Sequence, residues 1–232
     1  MTTSTAYAFS PEPIPTLPIT GCDQLFPIHR IYCVGRNFAD HAIEMGHDPN
    51  REPPFFFQKN AGNVLLSGSD FPYPGETSDV HHEIELVVAL RKGGSGIPVE
   101  DALDHVFGYA VGLDMTRRDL QGEAKKLGRP WETAKAFEYS APCSAIRPVQ
   151  EIGHPAAGAI WVKVNGEIRQ SGDLDQMIWK VPEMIAYLSR LFELKAGDMI
   201  FAGTPAGVGA IRKGDEIFGE IAGVGEIRTR VV

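Results

Sequence analysis

His81-His82-Glu83-Ile84-Glu85-Leu86-Val87-Val88-Ala89-Leu90 carries two acids into an apolar run that stops at Arg91-Lys92-Gly93-Gly94. The run has the β-branched and apolar composition of a strand. Strand side chains alternate, so Glu83 and Glu85 share one face, and Ile84, Leu86 and Val88 share the other. Neighbouring carboxylates repel each other and are tolerated only beside a cation, with a proton, or in water. The segment alone leaves all three open. His81 is in phase with the two acids, as a further ligand or as a group that orients Glu83.

Downstream, Val106 to Leu113 reads as an apolar strand with close-packing glycines, ending on Asp114. Asp114 is either the N-cap of a helix expected over Met115 to Leu127 or a third carboxylate for the pair above. That helix carries Arg117, Arg118, Lys125 and Lys126, with Arg129 just beyond, and a solvated face accounts for most of them. Pro130 and Trp131 end it, leaving Lys135 in a loop. Upstream, Phe26 to Gly35 reads as a short strand, followed by a helix from Asn37, its N-cap, to Met45. On that helix His41 and Glu44 lie three residues apart and share a face, either as a solvated pair or as a functional one. Phe55-Phe56-Phe57 suggests a strand buried on both faces, with Lys59 at its end as a surface stop or a pocket cation.

The C-terminal half turns over repeatedly. Trp161 to Arg169 is a hairpin, because Asn165-Gly166 supplies the positive φ angles of a tight turn. Pro182 to Phe192 is a helix whose apolar stripe is Met184, Ile185, Leu188, Leu191 and Phe192. A β-rich finish follows, with Gly-Asp turns at 197–198 and 214–215.

A chain of 232 residues with 43% hydrophobic and 22% charged residues suits one large domain or two small ones. Prolines at 11, 13, 15 and 18 block a helix, so residues 1–25 are expected to form an extended strap ahead of a folded domain at 26–232. The net charge of −8 argues against nucleic acid or an anionic membrane as the main partner. No apolar run is long enough to span a bilayer, and no secretory leader opens the chain. Cys22, Cys33 and Cys143 have neither zinc-ligand spacing nor an even count, so a cytoplasmic protein is expected.

Two acids on one strand and a third at another strand's end can offer three oxygen ligands to one hard cation, Mg²⁺, Mn²⁺ or Ca²⁺. Gly203-Thr204-Pro205-Ala206-Gly207-Val208-Gly209 lacks the Lys-Ser/Thr ending of a phosphate-binding loop. Nucleophile-elbow spacing is absent as well, so metal-assisted attack by water is the chemistry these residues suit.

Gly35-Arg36-Asn37-Phe38, His82-Glu83-Ile84-Glu85, Leu113-Asp114-Met115-Thr116-Arg117-Arg118, Lys135-Ala136-Phe137, Asn165-Gly166-Glu167 and Gly203 to Gly209 occur in the order found in the fumarylacetoacetate hydrolase family. The chain resembles that family from about residue 26 to its end. The resemblance implies a β-rich mixed α/β fold, a mixed β-sheet roll with flanking helices, assembled as a homodimer. It implies Glu83, Glu85 and Asp114 as ligands of Mg²⁺ or Mn²⁺, and His41 with Glu44 as a water-activating dyad. Lys135 and Gln121 match groups that stabilise an oxyanion. Arg36, Arg118, Lys59 and Thr204 match substrate contacts, although Asn60 stands where the family often has proline after the lysine.

The implied activity is hydrolysis of the C–C bond of a small dianionic keto acid, a 3-acylpyruvate. Fumarylpyruvate, cleaved to fumarate and pyruvate in gentisate breakdown, is the expected substrate. Acylpyruvases, oxaloacetate decarboxylases and 2-hydroxyhepta-2,4-diene-1,7-dioate isomerases share the same residues and are the alternatives. A non-catalytic metal-binding module would need the carboxylates but not His41 and Glu44.

Overall fold

The computed structural model describes residues 6–39 and 52–232. Its strands begin with β1 (Thr16–Pro18), β2 (Leu25–Pro27), β3 (Ile31–Gly35), β4 (Phe55–Lys59) and β5 (Val64–Leu66). The centre of the chain holds β6 (Val80–His82), β7 (Ile84–Leu90), β8 (Val106–Leu113) and β9 (Thr116–Arg117). Helices α1 (Arg118–Leu127) and α2 (Glu132–Lys135) lead to β10 (Ala141–Cys143), β11 (Arg147–Pro148) and α3 (Val149–Ile152). The hairpin of β12 (Ala159–Val164) and β13 (Glu167–Asp173) precedes α4 (Val181–Leu191). β14 (Met199–Phe201), β15 (Gly209–Ile211), β16 (Glu216–Ile221) and β17 (Gly225–Arg230) complete the chain.

The largest sheet runs β4-β3-β14-β7-β8-β10-β5, with β11 also paired to β8. It is mixed: β14 is parallel to β3 and antiparallel to β7, and β10 is parallel to β5. Both faces are covered. On one, Ile84, Leu86, Val88 and Leu90 pack with Ile160 and Val162 of β12, Ile217 and Ile221 of β16, and Met184, Ile185 and Leu188 of α4. On the other, Val87 and Ala89 pack with Cys33, Phe201, Leu17 and Phe26. The fold is therefore the strand-rich mixed α/β roll expected, with few helices. Among the described residues no helix is long and apolar enough to cross a membrane.

Several local expectations are corrected. Residues 81–90 do not form one strand: the chain changes sheets at Glu83. β6 pairs with β15 and β9, whereas β7 pairs with β14 and β8. The break places the Glu83 carbonyl to accept the Asp114 N–H at 2.8 Å, so the two acids are joined through backbone. The alternation of side chains within β7 is as read, but both of its faces are buried. The triple-phenylalanine strand β4 is an edge strand rather than a doubly buried one, and its rings are half-buried.

The central helix starts at Arg118, not Met115, because Thr116 and Arg117 pair with His81 and Val80. The strap is stitched down before residue 25, since Leu17 of β1 pairs with Phe26 of β2 and is fully buried. On α4, Met184, Ile185 and Leu188 are buried as expected, but Leu191 and Phe192 at the C-terminal end are exposed. Asn37 bridges two segments: its Oδ1 accepts the Trp179 N–H, and its Nδ2 donates to the Trp179 and Ala202 carbonyls. The rest of the helix read from Asn37 to Met45 lies outside the described residues from 40 onward. The Asn165-Gly166 turn is as read, with φ of 53° and 82°.

Candidate active site

β7 and β8 are neighbours, with Glu85 opposite Gly112 and Ile84 opposite Leu113. Gly112 is required there, since a Cβ would lie 2.6 Å from both Phe201 and Val87. The register brings the end of β8 beside the start of β7. One carboxylate oxygen from each of Glu83, Glu85 and Asp114 lies within 4.8 Å of the others, and all three residues are buried. From the far side, Gly203 donates its N–H to Glu85 Oε2 at 2.7 Å. The turn that aims this N–H needs glycine, because φ is 93° and a Cβ would meet that of Asn37 at 2.7 Å.

Three acids in a buried space need compensating charge. Lys135 donates to Glu83 Oε2 at 2.8 Å, Asp114 Oδ2 at 2.6 Å and Thr116 Oγ1 at 2.6 Å. Burial works against the Lys135 charge, but Asp114 and Glu83 outweigh it and raise its pKa. Arg118 pairs with Glu83, and the Lys59 ammonium lies 2.9 Å from Asp114 Oδ1. Glu85 is treated differently: among the described residues no basic side chain is within ion-pair distance of it. Burial, with Asp114 and Glu83 adding like charge, pushes its carboxyl well above the usual carboxylate range.

The site fits a divalent ion on its own atoms. The donors are all carboxylate oxygens, the kind that hard cations take. Among the described residues, Asp114 Oδ1 is buried and has no hydrogen-bond donor in line with it, although the Lys59 ammonium is near. Glu85 is a buried acid whose charge a divalent cation would complement. Glu83, Glu85 and Asp114 would hold the ion.

Arg36, Arg118, Gln121, Lys135 and Thr204 line the same cleft as the triad. Arg36 follows β3 in the left-handed region, φ 56°, and its guanidinium sits 5.4 Å from the Phe55 ring centre. Gln121 Oε1 accepts from Arg118 at 2.7 Å, which leaves its Nε2 to donate into the cleft. Among the described residues Arg118 Nε is buried with no acceptor.

Other expected residues are placed differently. Lys59 does not line the cleft: it is buried behind Asp114, donating to the Met115 carbonyl at 3.1 Å and to that of Lys135. It supports Asp114 from behind rather than facing the cleft. Lys135 ends the short α2 instead of lying in a loop, and its three N–H donors are taken by Glu83, Asp114 and Thr116. The Thr204 hydroxyl is also committed, donating to the Ile84 carbonyl and accepting from Gln170, each at 2.7 Å. His81 turns away from the triad to Asp79 at 3.0 Å. His41 and Glu44 lie outside the described residues. The basic helix face is largely not solvated, since Arg117 covers the Phe137 ring, Arg118 reaches Glu83, and Lys125 lines the cleft.

Gln170, unremarked in the sequence, ties the site together. Its Oε1 faces the Ile84 N–H at 3.1 Å and His82 Nδ1 at 3.0 Å, and its Nε2 donates to Thr204 and to the Pro205 carbonyl. One buried amide thus locks the triad strand to the Gly203–Pro205 turn. Its only sequence signal is its position on the hairpin strand that begins at Glu167.

Lys59 gives a stability prediction. Replacing Lys59 with Met keeps the bulk but takes the Lys59 donor from the buried Met115 carbonyl, leaves the Lys135 carbonyl with the Ser140 hydroxyl alone, and leaves Asp114 short of a cation. The expected loss is about 3 kcal/mol in metal-free protein, read as a shift in the urea midpoint. An unchanged midpoint would show that Lys59 is not a structural support.

A walled cleft with a buried carboxylate triad, its own supporting cations and an aromatic far side defines an enzyme centre built around a hard divalent ion. The sequence model for the fumarylacetoacetate (FAA) hydrolase C-terminal region matches residues 30–232. The chain belongs to the fumarylacetoacetate hydrolase family. It is similar to the fumarylpyruvate hydrolase of Pseudomonas aeruginosa, solved in complex with Mn²⁺ and pyruvate. That match is 54% identical with a TM-score of 0.96, covering 98% of this chain and 99% of that one. The fumarylpyruvate hydrolase of a Ralstonia species is 45% identical over 79% of this chain and 95% of its own length. The mitochondrial oxaloacetate tautomerase of Mus musculus is 46% identical over 87% of this chain and 90% of its own.

Proposed function

We propose that this enzyme hydrolyses the C–C bond of a 3-acylpyruvate, with fumarylpyruvate as substrate and fumarate and pyruvate as products. The observation that carries the reading is the polarity of one cleft. Its inner end is a carboxylate triad suited to a divalent ion, and its outer end is lined by Arg36, Lys125 and aromatic rings. A molecule bearing a 2-oxo acid at one end and a carboxylate at the other matches both. Relatives of 45% and 54% identity named fumarylpyruvate hydrolase support it.

When bound, Mg²⁺ or Mn²⁺ would act as a Lewis acid on the 2-oxo acid end. Arg118 Nε would donate to a carboxylate oxygen there. His41, oriented by Glu44, would take the proton of the water that attacks the acyl carbonyl. Gln121 Nε2 would donate to the oxygen on which charge then develops. Breaking the bond between the acyl carbon and the methylene releases the acid, and the electron pair passes to the methylene carbon, conjugated with the 2-oxo group. That carbon regains a proton to give pyruvate. Lys135 keeps Glu83 and Asp114 in place throughout. In this reading the protein works as a cytoplasmic homodimer in gentisate breakdown, which rests on the family resemblance.

The test follows the ultraviolet absorbance of enolised fumarylpyruvate. Loss of absorbance with Mn²⁺, arrested by excess chelator and restored by fresh Mn²⁺, is the expected result. Turnover untouched by chelation would contradict the reading. Relatives named oxaloacetate tautomerase and oxaloacetate decarboxylase make oxaloacetate the second substrate to try.

A further inference from the structure

We propose that Lys125 recognises the carboxylate on the acyl side of the substrate and so makes the enzyme prefer carboxylated acylpyruvates to neutral ones. The inference deepens the hydrolase reading and rests on it. Arg118, Gln121 and Lys125 lie at i, i+3 and i+7 on α1, one face of the helix, and all three line the cleft. Seven residues of helix span about 10 Å, so this face runs from the triad, where Arg118 pairs with Glu83, to the outer end at Lys125. An extended diacid held by its 2-oxo end at the triad points its second carboxylate along that row.

The surroundings of Lys125 suit an anion that is not part of the fold. Its ammonium sits 5.1 Å from the centre of the Trp131 ring, which stands edge-on to Phe55 at 5.4 Å. The adjacent Lys126 is exposed, whereas Lys125 is half-buried. Among the described residues no carboxylate lies within ion-pair distance of Lys125. Burial, reinforced by Arg118 and Arg36, pulls its pKa down to about 8. A half-buried ammonium among cations is a strained arrangement that a carboxylate entering the cleft would relieve. A neutral acyl group offers no such relief. Lys135 and Arg118 are already occupied by Glu83 and Asp114, which leaves Lys125 and Arg36 as the cations for the outer end.

The test compares fumarylpyruvate with acetylpyruvate in Mn²⁺-loaded wild type, Lys125→Met and Lys125→Arg. Methionine is a good helix former of similar length, so α1 is retained. In Lys125→Met the ratio of kcat/KM for fumarylpyruvate over acetylpyruvate is expected to fall by about 10- to 100-fold, chiefly through KM for fumarylpyruvate. Lys125→Arg is expected to recover most of the ratio. An unchanged ratio in Lys125→Met, or equal losses on both substrates, overturns the assignment and leaves the hydrolase reading intact. Wild type that cleaves neither acylpyruvate overturns the hydrolase reading, and this inference with it.

Discussion

Glu85→Gln is expected to cost the enzyme about a thousandfold or more in activity while leaving its metal-free stability unchanged or higher. Outer partners of a bound ion commonly cost 10–100-fold, and a direct ligand exceeds that. Glutamine keeps the shape and can still accept the Gly203 N–H that Glu85 accepts at 2.7 Å. What it removes is a buried negative charge that has no basic partner among the described residues. Without metal that charge is a burden, because Glu83 and Asp114 stand beside it in a buried space. With metal it is the attraction. Thermal melts with and without Mn²⁺ separate the two: wild type should gain Tm with Mn²⁺, and Glu85→Gln should lose that gain from an equal or higher starting point. A variant with lower metal-free Tm and an intact Mn²⁺ response would contradict the role given to Glu85.

His41→Ala is expected to lower kcat by about 10²- to 10⁴-fold, the range for loss of a general base, while keeping the Mn²⁺ response in the melt. The contrast with Glu85→Gln is the informative part, since one removes proton transfer and the other removes the cation. Stopped-flow absorbance measures kcat directly. His41→Ala with near wild-type turnover would transfer the base role to another group.

The roll was legible where composition and periodicity act locally. The Asn165-Gly166 hairpin, the alternation within β7 and the Asp114 strand end needed nothing beyond neighbours in sequence. Residues whose roles are set by distant partners were not legible. Lys59 and Lys135 looked like pocket cations, and only the fold shows them pointed at Asp114 and, for Lys135, at Glu83. The break at Glu83 depends on which strands flank it, namely β9, β15, β8 and β14, and these lie far off in the numbering, as Ile211 does from its partner Val80. Gln170 carried no signal because a buried amide and an exposed one read alike in a hairpin. Lys125 did carry one: its spacing from Arg118 and Gln121 puts it on their face, a pattern masked by counting the helix simply as basic.

The triad itself was assembled from two acids on one segment and one on another because the resemblance joined them. The structure supplies the physical reason, a backbone bond from Asp114 to Glu83 and a register that sets Glu85 beside the end of β8.

The most direct test of the account is product analysis by NMR, with the Mn²⁺-loaded enzyme given fumarylpyruvate and oxaloacetate in separate reactions at equal concentration. The account predicts fumarate and pyruvate in equal amounts from fumarylpyruvate, faster than any conversion of oxaloacetate, and none of either product after the metal is stripped. Intact fumarylpyruvate beside rapid conversion of oxaloacetate would contradict it.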